Sequence, residues 1–134
     1  MPVTLFPETE IIAPVVPTQL IEFATSAVLT PSSSEDLDST TNIADTVTAE
    51  LRGVWVASEQ PFFFTISTVE NGVATVRTGF FHGLPSSTVI LEFPAGLFPI
   101  TGTAGVDNYR VSVTNNDNNK DALISATFYY RTVP

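Results

Sequence analysis

The sequence predicts an all-β protein: an antiparallel two-sheet sandwich or small barrel of about seven or eight strands, preceded by an extended N-terminal arm. Three observations predict this fold. Ten prolines and seven glycines interrupt the 134 residues too often for long helices. Short runs alternate between apolar and polar residues, which is the period of a half-buried strand. Gly, Pro and Asn turns separate these runs, and no strand–helix–strand alternation is visible.

The composition indicates a folded domain with little charge. Hydrophobic residues make up 43% of the chain and charged residues 14%, against about 25% charged residues in an average soluble domain. The net charge of −9 is concentrated in residues 1–50, which hold eight acids and no Lys or Arg, whereas residues 51–134 hold six acids and five bases. We therefore expect neither nucleic acid nor an anionic membrane as a partner, because phosphates would be repelled. The acidic part either docks on a basic protein surface or serves only solubility.

The absence of cysteine excludes disulfides, thiolate metal sites and a Cys nucleophile. The first five residues lack the Lys or Arg that begins a signal peptide. The apolar runs are far shorter than the ~20 residues of a membrane helix. We expect a soluble protein that is synthesised in the cytosol.

Residues 1–18 are predicted to form an extended arm in front of a single β domain of residues 19–134. Four prolines, at positions 2, 7, 14 and 17, favour extended backbone and remove amide donors. Large apolar side chains are costly to leave in water, so the arm needs a protein surface. The predicted partner contacts in the arm are Val3, Leu5, Phe6, Ile11, Ile12, Val15 and Val16. We expect the arm to lie across a neighbouring subunit, with an edge strand on its own domain as the alternative.

The first half of the domain contains two predicted strands. Residues 19–29 form the first, and residues 31–42 form a polar acidic loop with at most one helical turn, because no apolar run follows the capping-box spacing of Ser32 and Glu35. Residues 46–58 alternate cleanly, which predicts a half-buried strand. One face of this strand is predicted to carry Val47, Ala49, Leu51, Gly53 and Trp55. A helix through positions 43, 47 and 51 is the alternative, which the β-branched residues oppose.

The second half contains the strongest turn signal. The pair Asn71-Gly72 lies between alternating residues 61–69 and 73–81 and predicts a tight hairpin. Residues 86–93 predict another strand, and residues 106–114 and 122–131 predict a second hairpin around the polar residues 115–121. The irregular connection 94–105 carries Leu97 and Phe98, which we expect to be exposed and to contact a partner. The predicted core comprises Val47, Leu51, Trp55, Phe64, Ile66, Val76, Ile90, Val111, Val113, Ile124 and Phe128.

Few residues indicate catalysis. His82 is the only histidine, and no serine lies in the nucleophile motif G-x-S-x-G. The oxygen-rich residues 115–121 do not have the spacing of a calcium loop, and a hairpin loop accounts for them. The acids Glu35, Asp36, Asp38 and Asp45 offer a second cation site, which a flexible solvated loop explains more simply. Trp55 with residues 62–64 offers a sugar-binding face, although aromatic residues in strands are more often core. We therefore predict no enzymatic activity, no catalytic residue, no metal and no cofactor.

Several features together define the character of the whole chain: no cysteine, very little lysine, an apolar arm punctuated from Pro2 to Pro17, strands rich in Thr, Ser and Asn, and a last strand ATFYYRTVP. In these features the chain resembles the capsid decoration, or cement, proteins of tailed bacteriophages. The resemblance implies oligomeric β modules on the capsid surface, with arms that clamp neighbouring capsid subunits. The implied partners are the major capsid protein or another virion protein, together with further copies of the chain, and the implied location is the virion after synthesis in the host cytoplasm.

Two other classes of function share these features. Another virion component, such as a head-fibre base, a neck protein or a tail protein, has the same requirements for assembly. A carbohydrate-binding or adhesive β-sandwich would use the aromatic strands and the Asn/Asp loop. The extended arm favours assembly, because such arms add main-chain hydrogen bonds and place alternate apolar side chains in pockets.

Overall fold

A computed structural model of the protein describes residues 21–39, 43–44, 46–103 and 107–133. These residues form two five-stranded antiparallel sheets that pack against each other, so the predicted all-β two-sheet fold is confirmed. The strands are β1 (Ile21–Leu29), β2 (Ser34–Asp38), β3 (Thr48–Ser58), β4 (Phe62–Glu70), β5 (Val73–Val76), β6 (Phe81–Gly83), β7 (Ser87–Glu92), β8 (Ile100–Thr101), β9 (Asn108–Asn115) and β10 (Ala122–Val133). No membrane-spanning helix occurs in this part of the chain.

Sheet 1 has the order β1-β10-β3-β7, with β8 beside β3, and sheet 2 has the order β2-β9-β4-β5, with β6 beside β4. The core lies between the sheets, where alternate side chains of each strand meet. Seven of the predicted core residues are confirmed as fully buried: Leu51, Phe64, Ile66, Val111, Val113, Ile124 and Phe128. Val47 is half-buried against this core.

A β-bulge in β3 determines which of its residues face the core. Tyr129 of β10 pairs with Gly53 and Tyr130 pairs with Leu51, so Arg52 is an additional residue on β3. An additional residue exchanges the inward and outward faces of the strand beyond it. The buried apolar residues of β3 accordingly change from odd to even positions, and they are Ala49, Leu51, Val54 and Val56. Trp55 is 40% exposed, so the prediction that it lies in the core is wrong.

Two further core predictions are wrong for related reasons. Ile90 of β7 pairs with Trp55 of β3, so both side chains point outward from sheet 1, and Ile90 is 53% exposed. Val76 lies on the short edge strand β5 opposite Ser67 and is 61% exposed. Alternation identifies the two faces of a strand, but it does not say which face meets the second sheet.

The Asn71-Gly72 hairpin is confirmed, since β5 follows β4 directly and both turn residues have positive φ, 52° and 77°. The predicted strand 73–81 is interrupted, however. After β5, the Arg77 amide donates to the Ile66 carbonyl at 2.8 Å, and the Thr78 hydroxyl accepts the Ile66 amide at 3.0 Å. The side chain of Thr78 thus replaces a main-chain partner before pairing resumes at β6.

The prediction of a second hairpin is wrong, because β9 belongs to sheet 2 and β10 to sheet 1. Residues 116–121 instead cross between the sheets. The fully buried Asn115 holds this crossing in place: its side-chain amide donates to the carbonyls of Leu29 at 3.2 Å and Lys120 at 2.8 Å. Its side-chain oxygen accepts the amide of Asp117 at 3.0 Å.

The predicted acidic loop 31–42 contains the strand β2, which pairs with β9 at the edge of sheet 2. Its polar side chains had indicated a loop, yet they form cross-strand pairs. Arg110 of β9 donates to both carboxylate oxygens of Asp38, at 2.7 Å and 3.1 Å, and Ser112 donates to Asp36 at 2.8 Å. Leu37 is the one buried apolar residue of this strand and faces the core.

Candidate docking surfaces

The predicted partner contacts divide into two groups. The arm contacts Val3, Leu5, Phe6, Ile11, Ile12, Val15 and Val16 lie outside the described residues. Leu97 and Phe98 are described and are half-buried, so they are less exposed than the sequence suggested. The Phe98 ring packs edge-on to Phe93 at 5.4 Å, and its carbonyl accepts the Tyr109 hydroxyl at 2.8 Å. This connection is anchored on the core.

The polar residues that had offered alternatives for chemistry are engaged in local structure. The carboxylate of Asp117 accepts the amides of Asn119 and Lys120, both at 2.8 Å, and these hydrogen bonds lower its pKa. This is the geometry of an Asx turn. His82 lies exposed on β6 with its ring 5.6 Å from Phe63. Over the residues that the structure describes, no group of three or more His, Cys, Asp or Glu side chains could hold a metal ion.

The four aromatic residues considered for a sugar-binding face do not share a surface. Phe62 and Phe64 are buried in the core with their rings stacked at 6.1 Å. Phe63 points outward from sheet 2, where the ring of Phe80 meets it at 5.5 Å. Trp55 lies on sheet 1. The four aromatic side chains are close in sequence, but the fold places them on an outer surface of sheet 1, in the core, and on the outer surface of sheet 2.

The outer side of sheet 1 forms the surface that we name the Trp55 face. Away from the bulge of β3 it consists of the outward residues Ala24, Ser26, Val28, Leu123, Ser125, Thr127, Trp55, Ala57, Thr88 and Ile90. None of these residues is charged, but at the end beside the bulge the outward residues of β1 and β7 are the exposed Glu22 and Glu92. Val28 pairs with Leu123 and Trp55 pairs with Ile90, and all four are exposed.

A cleft of about 480 Å³ lies at one end of the Trp55 face, beside the bulge of β3. It is lined by Arg52, Gly53, Trp55, Glu92, Phe93, Tyr129 and Arg131. The Trp55 and Tyr129 rings lie 5.2 Å apart with a tilt of 54°. A Cβ at Gly53 would come within 3.2 Å of the Leu91 carbonyl and 3.7 Å of Tyr129, so a glycine suits this close approach.

Glu50 holds the two arginines of the cleft in place. Its side chain is nearly buried, and its carboxylate accepts the Arg131 Nε at 2.7 Å and the Gly96 amide at 2.8 Å, with Arg52 at 4.0 Å. Burial alone would raise the pKa of Glu50, but these hydrogen bonds and the two positive charges outweigh it and lower the pKa. Arg52 is also fixed by a hydrogen bond from its Nε to the Phe93 carbonyl at 3.1 Å. Each arginine side chain remains 29% exposed.

A second apolar surface follows the free edge of sheet 2, and we name it the β5–β6 edge. Its exposed apolar residues are Val73, Val76, Phe80 and Leu84. Arg77 is the one charged residue between positions 73 and 84, and it pairs with Glu70 at 3.7 Å. Every exposed large hydrophobic residue in the described ranges lies either on the Trp55 face or on this edge.

Sequence reasoning missed the cleft because its residues come from three separate stretches of chain. One signal was available: a glycine inside an alternating strand, as at Gly53, indicates a bulge or a close approach. Comparisons of the chain with protein-family models, with curated proteins and with solved structures found no match.

Proposed function

We propose that this chain is a non-enzymatic structural subunit that joins proteins in a larger assembly, and that it serves as a capsid decoration protein of a tailed bacteriophage. The observation that carries the proposal is the sorting of the exposed apolar side chains onto two separate surfaces, one on each sheet. A subunit that stabilises a shell has to contact more than one neighbour, and two such surfaces serve that purpose.

The chemistry of the Trp55 face suits a protein partner. Contiguous exposed apolar patches typically mark interaction sites. Interface centres are depleted in charge and enriched in aromatic residues. The Trp55 face carries the exposed Trp55 ring, its residues away from the bulge are uncharged, and its charged side chains lie at the end beside the bulge. Covering one exposed Ile, Leu or Phe side chain contributes about 1.5–3 kcal/mol when burial is complete. Two anchors on each surface are therefore enough for a measurable contact.

The charge distribution favours a basic partner such as a capsid protein. Residues 1–50 carry eight acids and no base. Within this stretch Asp36 and Asp38 are paired with Arg110, and the buried Glu50 is paired with Arg131, so these three acids contribute less than the sequence suggested. The remaining acids would orient the chain on a basic surface and speed its association more than they would add affinity.

Binding to particles tests the proposal. Particles of the virus that encodes the chain, prepared without it, are incubated with the purified full-length protein and sedimented. We expect the protein to sediment with the particles. Two paired variants, Trp55→Ser with Ile90→Ser and Phe80→Ser with Leu84→Ser, should each bind about tenfold or more weakly, because each pair removes more than 1.4 kcal/mol of apolar contact.

A matched control alters exposed polar residues of the inter-sheet crossing, Asn118→Ala with Asn119→Ala, and should bind like the wild type. Thermal melting of each variant establishes that it is folded. If the wild type does not sediment with particles, or if both apolar variants bind as well as the control, the proposal is wrong.

The cleft also supports a second candidate, carbohydrate binding. The exposed Trp55 ring beside Tyr129 offers a stacking surface, and Glu92 with the two arginines offers polar contacts around it. Trp55 is the only tryptophan, so its fluorescence reports directly on the cleft. If a sugar quenches the Trp55 fluorescence of the wild type but not that of the Arg52→Gln variant, carbohydrate binding is favoured over particle binding.

A further inference from the structure

We propose that the cleft at the end of the Trp55 face binds residues 3–16 from a second copy of this chain. The inference rests on the proposed role as an assembly subunit, and it names one contact within that assembly. Three observations carry it: the chemistry of the cleft, the matching chemistry of this segment, and the place where β1 begins.

The cleft combines an apolar surface with two fixed positive charges. Trp55, Phe93 and Tyr129 supply the rings, and the outward Ile90 extends the apolar surface along β7. Arg52 and Arg131 are two of the five basic residues in the whole sequence, and each side chain is partly exposed. Glu50 and Glu92 offset these charges, and Glu22 accepts the Tyr129 hydroxyl at 3.3 Å beside the cleft. The cleft as a whole therefore does not suit a polyanion, and a carboxylate of an apolar ligand would have to lie directly against the exposed part of Arg52 or Arg131.

Residues 3–16 have this composition. They contain seven large apolar side chains, two acids at Glu8 and Glu10, and no Lys or Arg. Two prolines inside the segment restrict its free conformations, which reduces the entropy lost when it is ordered on a surface. The apolar pairs at positions 5–6 and 11–12 flank the two acids, so one short stretch presents both kinds of contact.

The start of β1 indicates that the occupant comes from another copy. Ile21 pairs with Tyr130 of β10, and β3 is the next strand, so the cleft lies about 10 Å from β1 at ~4.8 Å per strand. The proline spacing predicts extended backbone, in which the eleven steps from Glu10 to Ile21 would span roughly 34 Å at ~3.1 Å per residue. A segment in that conformation would reach past its own cleft unless it turned back, which favours the cleft of another copy. The four residues that directly precede β1, at positions 17–20, contain no carboxylate.

Cross-linking of full-length chains tests this contact, because the wild type has no cysteine. One chain carries Ile12→Cys and the other carries Ile90→Cys, and the two are mixed under a mild oxidant. We expect a disulfide between the two different chains, identified by mass spectrometry of the linked peptides. The matched control replaces Ile90→Cys with Asn119→Cys, an exposed position in the crossing near the far end of sheet 1, and its yield should be severalfold lower.

Two further measurements make the test decisive. Glu8→Gln with Glu10→Gln in the chain that carries Ile12→Cys should lower the cross-linking yield severalfold. A single chain that carries both Ile12→Cys and Ile90→Cys should link to other copies. If this chain forms the disulfide only within itself, the segment binds its own cleft and not that of a second copy. If the yield between the two different chains equals that of the Asn119→Cys control, residues 3–16 do not occupy the cleft.

The outcomes also separate this inference from the proposed function. If the chain binds particles but the cross-link fails, the cleft has another occupant and the decoration role stands. If the cross-link forms but the chain does not bind particles, the contact between copies stands and the decoration role fails.

Discussion

The bulge in β3 makes a quantitative prediction about two aromatic residues. Phe128 is fully buried between the sheets, whereas Trp55 lies outside on sheet 1 and is 40% exposed. Phe128→Ala should destabilise the protein by about 3–5 kcal/mol, because it loses burial and leaves a cavity. Trp55→Ala opens no cavity between the sheets, and it removes the contact with Tyr129 together with the covered part of the Trp55 side chain, so we expect about 1–2 kcal/mol.

Urea unfolding measures this difference. With an m-value of about 2 kcal/mol/M, the midpoint should fall by roughly 2 M for Phe128→Ala and by about 0.5–1 M for Trp55→Ala. Val56→Ala and Ile90→Ala repeat the contrast with one buried and one exposed aliphatic side chain. An equal loss from Trp55→Ala and Phe128→Ala would place Trp55 in the core and refute the shifted register.

Three further variants test the turns and the buried polar groups. Gly72→Val places a β-branched residue at a φ of 77° and should cost about 1–2 kcal/mol in thermal unfolding; an unchanged melting temperature would argue against the type I′ turn. Asn115→Ala leaves the buried carbonyls of Leu29 and Lys120 without a side-chain donor and should cost about 1–3 kcal/mol by urea unfolding, while Asn116→Ala in the same crossing should be neutral. Because folding lowers the pKa of Glu50, its ionised form contributes stability that is present above pH 4.5 and is lost as the pH falls through the lowered pKa. Glu50→Gln should therefore be less stable than the wild type at pH 7, and the difference should shrink in acid; a constant difference would contradict this account.

Local patterns predicted most of the strands because each strand is bounded by turn residues and alternates within itself. The Asn71-Gly72 turn is the clearest case, since its two φ values follow from the residue types alone. The partners of each strand were harder to predict. The strands β9 and β10 looked like a hairpin, yet they belong to different sheets, and the side chain of Asn115 that directs the crossing looks like any other loop asparagine.

The candidate surfaces were less predictable than the fold. Trp55 is exposed because Arg52 is an additional residue in β3. A shift of one residue moves every later side chain of the strand to the opposite face of the sheet. The sequence of β2 predicts a loop because its inward face carries a single buried apolar residue, Leu37, and cross-strand polar pairs replace the usual alternation. Arg52 and Arg131 are far apart in sequence, and only the pairing of β3 with β10 brings them to one carboxylate.

The additional residue itself provides a test that links the fold to the proposed contact. Arg52 and Gly53 both lie opposite Tyr129, so deleting Arg52 leaves Leu51 inward, Gly53 outward and Trp55 outward in a regular strand. The core register is preserved, and the chain loses the Arg52 hydrogen bonds with Phe93, at a cost on the order of 1–2 kcal/mol.

We therefore expect the Arg52 deletion to melt cooperatively, only slightly below the wild type, while the bend that opens the cleft is removed together with one of its charges. Cross-linking between the Ile12→Cys chain and a chain with Ile90→Cys should then fall to the level of the Asn119→Cys control. Arg52→Ala keeps the bulge and should show an intermediate yield. If the deletion unfolds the protein while Arg52→Ala does not, the bulge is required by the core. If the chain that lacks Arg52 cross-links with the same yield as the chain that retains it, the cleft does not bind the arm, and the bulge has only a structural role.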